Sequence, residues 1–214
     1  MLANRFNNST KPDESGTWLS VGDLMSVALM IFALLLVTTL VKITEQQEEQ
    51  TNQRVVIITA LGEMLKESGI EAEINQETGD ISIMDSVLFD LSEHELREDG
   101  QSFLDNFVPH YARVIFETPG ASEEIVRVII EGHTSSSGSE NANMLLSLRR
   151  ANSVYKNIDH KDFDYKYQFL DKLLVAGRGE FNANQENDER SDRKVMFRLQ
   201  FKGLEKLHTL FDLK

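Results

Sequence analysis

The chain has 214 residues, room for one membrane anchor and one domain of ordinary size, about 100–150 residues. Its net charge of −13 argues against nucleic-acid binding, which needs a basic face, and against a loose electrostatic hold on any anionic polymer, so that binding one would need a specific pocket. With no cysteine there is no disulfide and no thiolate metal site, and the five histidines lack the spacing of a metal motif.

Residues 1–16 are polar, with Asn, Ser, Pro and Gly, and read as a flexible cytoplasmic tail. Residues 17–41 read as a membrane-spanning helix. From Leu24 to Val41 the chain carries no charge, a stretch of about 27 Å at a helix's rise, close to a bilayer's hydrocarbon thickness. Asp23 stands at the front edge of that run. A carboxylate in a membrane helix is costly, and such groups face a partner or a water-filled path, so ion handling is the first reading of Asp23. Gly22, Ser26 and Ala33 make an adjacent strip of small residues that lets another helix approach closely. The alternative is that Asp23 merely caps the helix start; Ser20 would serve as well, and Trp18 marks an interface further out. A cleaved signal peptide is disfavoured. Arg5 and Lys11 are offset by Asp13 and Glu14, the apolar core is long, and Lys42-Ile-Thr-Glu-Gln-Gln offers no small-residue cleavage site.

Residues 42–78 read as a periplasmic helical linker and the start of a hairpin. Lys42–Gln53 holds good helix formers and almost no apolar residue, a solvated continuation of the span. Val55, Ile58, Leu61 and Leu65 then repeat at three and four, one apolar helical face, and Gly69 ends it. Running unbroken from Lys42 to Ser68, the helix would lift the next domain about 40 Å from the membrane.

Residues 79–202 alternate strand and helix. Ile70–Ile74 and Ile81–Ile83 flank the turn Gln-Glu-Thr-Gly79. Ser86–Asp90 is a short apolar run. A helix is expected over 100–116, with Phe103, Phe107, Tyr111 and Ile115 on one face. Strands are expected at Ile125–Ile130, Leu173–Ala176 and Val195–Phe201, and a helix at Asn141–Lys156 with Leu145, Leu148 and Ala151 on one face. The pattern predicts an α+β fold, two layers with helices on one side of a mixed sheet. Residues 203–214, with Leu204, Leu207, Leu210 and Phe211, are expected as an amphipathic helical tail.

Trp18-(x4)-Asp23-Leu-Met-(x7)-Phe-Ala-Leu-Leu-Leu resembles the single span of MotB-type stator subunits. The resemblance implies that Asp23 carries the ion, H⁺ or Na⁺. It also implies a homodimer of this chain inside a pentameric ring of a MotA-like channel subunit. No other cofactor is expected.

Gly132-His-Thr-Ser-Ser-Ser-Gly138-(x4)-Asn143-(x2)-Leu146-Ser147-(x2)-Arg150-Ala151-(x2)-Val154 resembles the signature of the OmpA C-terminal peptidoglycan-binding domain. Asp85-Ser-Val-Leu-Phe-Asp90, and Gly177-Arg-Gly-Glu180 with Arg193-Lys-Val, are similar to its flanking motifs in the same order. The resemblance implies a βαβαββ domain that grips the wall peptide through Asn143, Leu146, Arg150, Ser135 and Arg193. Physically, the Arg150 fork suits a carboxylate held by two hydrogen bonds. Asn143 both donates and accepts, and would stand in the first turn of its helix. Ser135 replaces the family aspartate that clamps the wall peptide's ammonium, and Ala142 replaces an aromatic. Each residue also has a plainer reading: Arg150 as a surface arginine, Asn143 as a loop brace or cap, Arg193 as the partner of an acid.

A serine-rich loop beside His133 invites a hydrolase reading. There is no nucleophile elbow and no third group to orient the imidazole, so His133 is expected to brace the loop and no enzyme activity is expected. With Trp18-Leu-Ser-Val-Gly-Asp23-Leu-Met-Ser, a short linker and no strongly basic tail, the chain resembles the MotB-like component of the Zorya anti-phage system, the ZorB family. That family works with ZorA, a MotA-like channel. The resemblance implies a stator of the bacterial inner membrane, single-pass, with the N-terminus cytoplasmic and the C-terminal domain on peptidoglycan in the periplasm. A flagellar-type MotB stator subunit and a passive OmpA-like wall tether are the alternatives.

Overall fold

The computed structural model describes residues 14–202. Most of the expected tail 1–16 and the whole expected helix 203–214 lie outside the described residues. The chain divides into two compact units, with the boundary between Glu49 and Gln50.

A single helix, α1 (Glu14–Glu67), contributes to both units. In the first unit, every described side chain from Val21 to Gln46 is exposed, including Leu24, Met25, Phe32 and Leu35. α1 is long and apolar enough in this stretch to cross a membrane. Its hydroxyls are satisfied locally: Ser26 Oγ donates to the Gly22 carbonyl at 2.8 Å and Thr39 Oγ1 to that of Leu35 at 2.8 Å. This is how a polar side chain is tolerated where water is absent.

The second unit begins within α1. Ile57, Ile58, Leu61, Met64 and Leu65 are buried, so this stretch of helix belongs to the domain core. Two expectations are corrected here. The free spacer is not Lys42–Ser68, because from Gln50 the helix is part of the same compact unit as the sheet. The buried face is not led by Val55, which is 58% exposed, but by Ile57.

β1 (Glu73–Ile74) and β2 (Ile81–Met84) form the hairpin, with Gly79 at φ +75° in its turn. Next come α2 (Asp85–Leu88), α3 (Glu98–Glu117), α4 (Ala121–Glu124) and β3 (Ile125–His133). They are followed by α5 (Glu140–His160), α6 (Lys166–Lys172), β4 (Leu173–Gly179) and β5 (Lys194–Phe201). The sheet order is β1-β2-β5-β3-β4, with β3 and β4 parallel and the other pairs antiparallel. Leaving out β1 and the short helices, the order is the expected βαβαββ.

One sheet face carries the core. Val195, Phe197, Leu199 and Phe201 alternate inward along β5, and Val128 and Ile130 of β3 point the same way. Phe107 and Tyr111 of α3 stand edge-on to Phe197, with centroids 5.0 and 5.7 Å away. α5 lies close against β3 and β4 because two glycines allow it. A Cβ at Gly132 would fall 2.1 Å from the Ser147 carbonyl oxygen, and one at Gly177 would fall 2.7 Å from Ser147 Oγ.

The inward face of α5 differs from expectation. Leu145 and Leu148 are 45% and 44% exposed; the buried residues are Asn143, Ser147, Arg150, Ala151, Val154 and Ile158. Where two glycines bring the helix backbone onto the sheet, a leucine would not fit, and the small Ser147 takes its place.

Candidate functional site

Asp23 is the tenth residue of α1, more than two turns inside the helix, so it does not cap it. Asp23, Gly22, Ser26 and Ala33 are all exposed within the chain. A helix with apolar side chains on all sides and no cover of its own is built to lie in lipid or against another chain.

In the second unit, the sequence-identified polar residues fall into two clusters, both mounted on α5. Arg150 and Asn143 are seven residues apart, two turns on the same face, about 10 Å along the helix axis.

The first cluster is centred on Asp85, at the N-terminus of α2. Arg150 is 1% exposed. Its Nη1 donates to Asp85 Oδ2 at 3.1 Å, its Nε donates to the Glu93 carbonyl at 2.9 Å, and the guanidinium stacks over the Phe89 ring at 5.2 Å. Burial pulls Arg150 below its usual value, and Asp85 works against that pull. Arg193 approaches the same carboxylate, with Nε 3.5 Å from Asp85 Oδ2, while Nη1 donates to Asp188 at 3.1 Å. The Arg193 Nε is buried and makes no hydrogen bond. Two guanidiniums thus share Asp85, and Asp188 gives Arg193 a second acidic partner. Arg193 also lines a cavity of about 270 Å³ together with Asp85, Ser86, Phe89, Asp90 and Arg97.

The second cluster braces the loop after β3. Asn143 Nδ2 donates to the Ser135 and Ser137 carbonyls at 3.3 and 3.0 Å, and to Glu180 Oε2. Ser139 accepts from Ala142 N at 3.3 Å and is the helix cap, so Asn143 is not. Ser135 is buried, and Leu146 is half-buried. Ser147 Oγ donates to the Met144 carbonyl at 2.8 Å and accepts from Gly179 N at 2.9 Å, tying α5 to the end of β4.

The structure therefore brings Arg150 to Arg193 through Asp85, and Ser135 to Asn143 through the loop backbone. Asp85 and Glu180 stand in the quoted motifs but had been given no role. The available signal was charge balance, since two arginines aimed at one place need an acid. His133 is buried with Nε2 2.9 Å from Glu131 Oε1, and Ser136 Oγ donates to the Asn184 carbonyl at 2.7 Å. Guanidinium donors set beside a cavity are able to hold an anion, above all a carboxylate.

The chain matches the OmpA family over residues 88–195. The Zorya protein ZorB of Escherichia coli O139:H28 (strain E24377A) is 30% identical over 224 aligned positions, spanning 95% of this chain and 89% of that protein. The Zorya protein ZorB of Escherichia coli strain ATCC 8739 is 28% identical over 214, spanning 88% and 89%. Among solved structures, a MotB-like protein from Desulfovibrio vulgaris shares the fold with a TM-score of 0.54 and 20% identity, over 74% of this chain and 97% of that one.

Proposed function

The chain belongs to the OmpA family and to the ZorB proteins of Zorya systems, and on that footing we propose that it is a peptidoglycan-anchored stator subunit of an ion-driven motor complex in anti-phage defence. The observation that carries the reading is that one chain joins an apolar span, charged only at its front by Asp23, to a domain whose Arg150 and Arg193 converge on Asp85. A wall grip and an acid in a membrane helix make one device. The grip keeps the helix still while partner helices move past the acid.

In this device Asp23 takes up and releases H⁺ or Na⁺. Gly22, Ser26 and Ala33 pack against a MotA-like channel subunit of the ZorA type. A single helix cannot enclose an ion path, so two copies of this chain sit within a ring of five such partners in the bacterial inner membrane. The N-terminus faces the cytoplasm and the OmpA-like domain the periplasm. One elementary charge crossing 100 mV yields about 2.3 kcal/mol, enough to bias a two-state partner roughly fifty-fold.

At the wall end, Arg193 meets the carboxylate of the wall peptide, since it lines the open cavity. Arg150 acts as a positioning residue that fixes Asp85 and the Glu93 segment around the cavity. Asn143, Leu146 and Ser135 shape the neighbouring loop. Ser135 offers no acid for an ammonium group, leaving Asp90 at the cavity rim for that contact.

The test is Asp23→Asn in cells challenged with phage. Protection is expected to vanish while membrane assembly and wall binding persist. Wild-type protection by Asp23→Asn would overturn the ion role and leave a passive wall tether.

A further inference from the structure

The segment from Glu93 to Arg97 lines two depressions. Arg97 borders the 270 Å³ cavity at Arg193, and His94, Glu95 and Leu96 border a separate groove of about 720 Å³. The other wall of the groove is one face of α5, formed by Arg149, Asn152, Ser153, Lys156, Asn157 and His160 at spacings of three and four. Arg150 holds the shared segment in place through the Glu93 carbonyl.

The groove is locally basic in an acidic chain. Three permanent cations, Arg149, Lys156 and Lys161, line it against one carboxylate, Glu95, whereas the whole chain carries −13. Lys161 is engaged by Asp105 at 2.6 Å. Arg149 and Lys156 are exposed and make no side-chain ion pair or hydrogen bond among the described residues. The amides of Asn152, Asn157 and Gln101 both donate and accept, as sugar hydroxyls require.

We infer that this groove is a second subsite for the wall polymer. It takes an anionic, hydroxyl-rich stretch, sugar with its attached carboxylates, beside the part held at Arg193; the inference rests on the wall-binding reading above. Two subsites divided by one short segment act on one polymer, so the second contact forms at high effective concentration. The groove also supplies the salt-sensitive part of the affinity.

The test uses the full chain in detergent, cosedimented with purified sacculi across a salt series. In parallel it is titrated with a soluble stem peptide that lacks sugars. The variant Arg149→Glu/Lys156→Glu changes only exposed side chains, and its melting curve checks the fold. Sacculus affinity is expected to fall about tenfold and to lose most of its salt dependence, with stem-peptide affinity unchanged. Unchanged sacculus affinity and salt dependence would overturn the groove. If Arg193→Ala leaves both ligands bound while the double variant loses sacculi, the groove stands and the Arg193 reading falls. Absence of sacculus binding by the wild type removes both.

Discussion

Arg150 Nη1 donates to Asp85 Oδ2 at 3.1 Å with both side chains buried, and Arg193 Nε stands 3.5 Å from the same oxygen. The two arginines are therefore not equivalent. Arg150 has its Nη1 and Nε committed to the protein, while Arg193 faces a cavity. Arg150→Ala leaves a buried carboxylate under-compensated and is expected to cost about 3–5 kcal/mol in a denaturant melt. Arg193→Ala is expected to cost about 1 kcal/mol, yet to abolish cosedimentation with sacculi. Equal stability losses for the two would contradict this division of roles.

The approach of α5 to the sheet depends on Gly132. An alanine there would place its Cβ 2.1 Å from the Ser147 carbonyl oxygen and 2.8 Å from its carbon, both backbone atoms that cannot swing away. Gly132→Ala is expected to cost at least ~3 kcal/mol in a melt, or to prevent folding. Ala151 sits on the same buried face of α5 without that backbone clash to a neighbour, so Ala151→Gly should cost only about 1 kcal/mol and serves as the control.

Much of the fold was legible because alternation and helical spacing report burial directly. The hairpin around Gly79, α3 with its Phe107 and Tyr111 face, and β3, β4 and β5 all stand where the apolar pattern places them. The pattern misleads where contact is made by something other than apolar side chains. α5 turns Leu145 and Leu148 outward because the helix rests on glycines through Ser147 and buries Asn143 and Arg150 for their hydrogen bonds. Hydrophobicity alone carries no trace of that. The partnership of Asp85 with two distant arginines is likewise a product of tertiary folding, Arg150 and Asp85 being 65 positions apart in the chain. Short α6 was not anticipated, since only Phe169 of its residues is fully buried and the segment is too brief for a periodicity to show.

Ser147 links α5 to β4 by one hydroxyl that both donates and accepts. Ser147→Ala keeps the volume and removes the acceptor of the Gly179 N–H, which lies buried. The expected loss is about 1–3 kcal/mol, read from a denaturant midpoint, with faster amide exchange at Gly179 than in the wild type. Unaltered exchange at Gly179 would show that another acceptor replaces the hydroxyl.

Glu131 should make the domain acid-sensitive in a defined direction. Burial on its own would raise this carboxyl, but His133, Arg198 and Arg178 around it prevail and hold it below the ordinary 4.5. A carboxyl depressed in the folded state is protonated more readily in the unfolded chain, so the unfolded state binds the extra proton and stability rises with pH in that interval. The contribution is fully present above about pH 4.5 and is lost as the pH falls through the lower folded value. Glu131→Gln removes the titrating group while keeping its shape, and Arg198 retains Asp80 at 3.3 Å as a partner. Plotted against pH, the stability of Glu131→Gln is expected to lie below that of the wild type by a constant amount at pH 6–8, with the two curves converging below 4.5. Curves that stay parallel from pH 7 down to acid unfolding would mean that Glu131 is not held ionised by its neighbours.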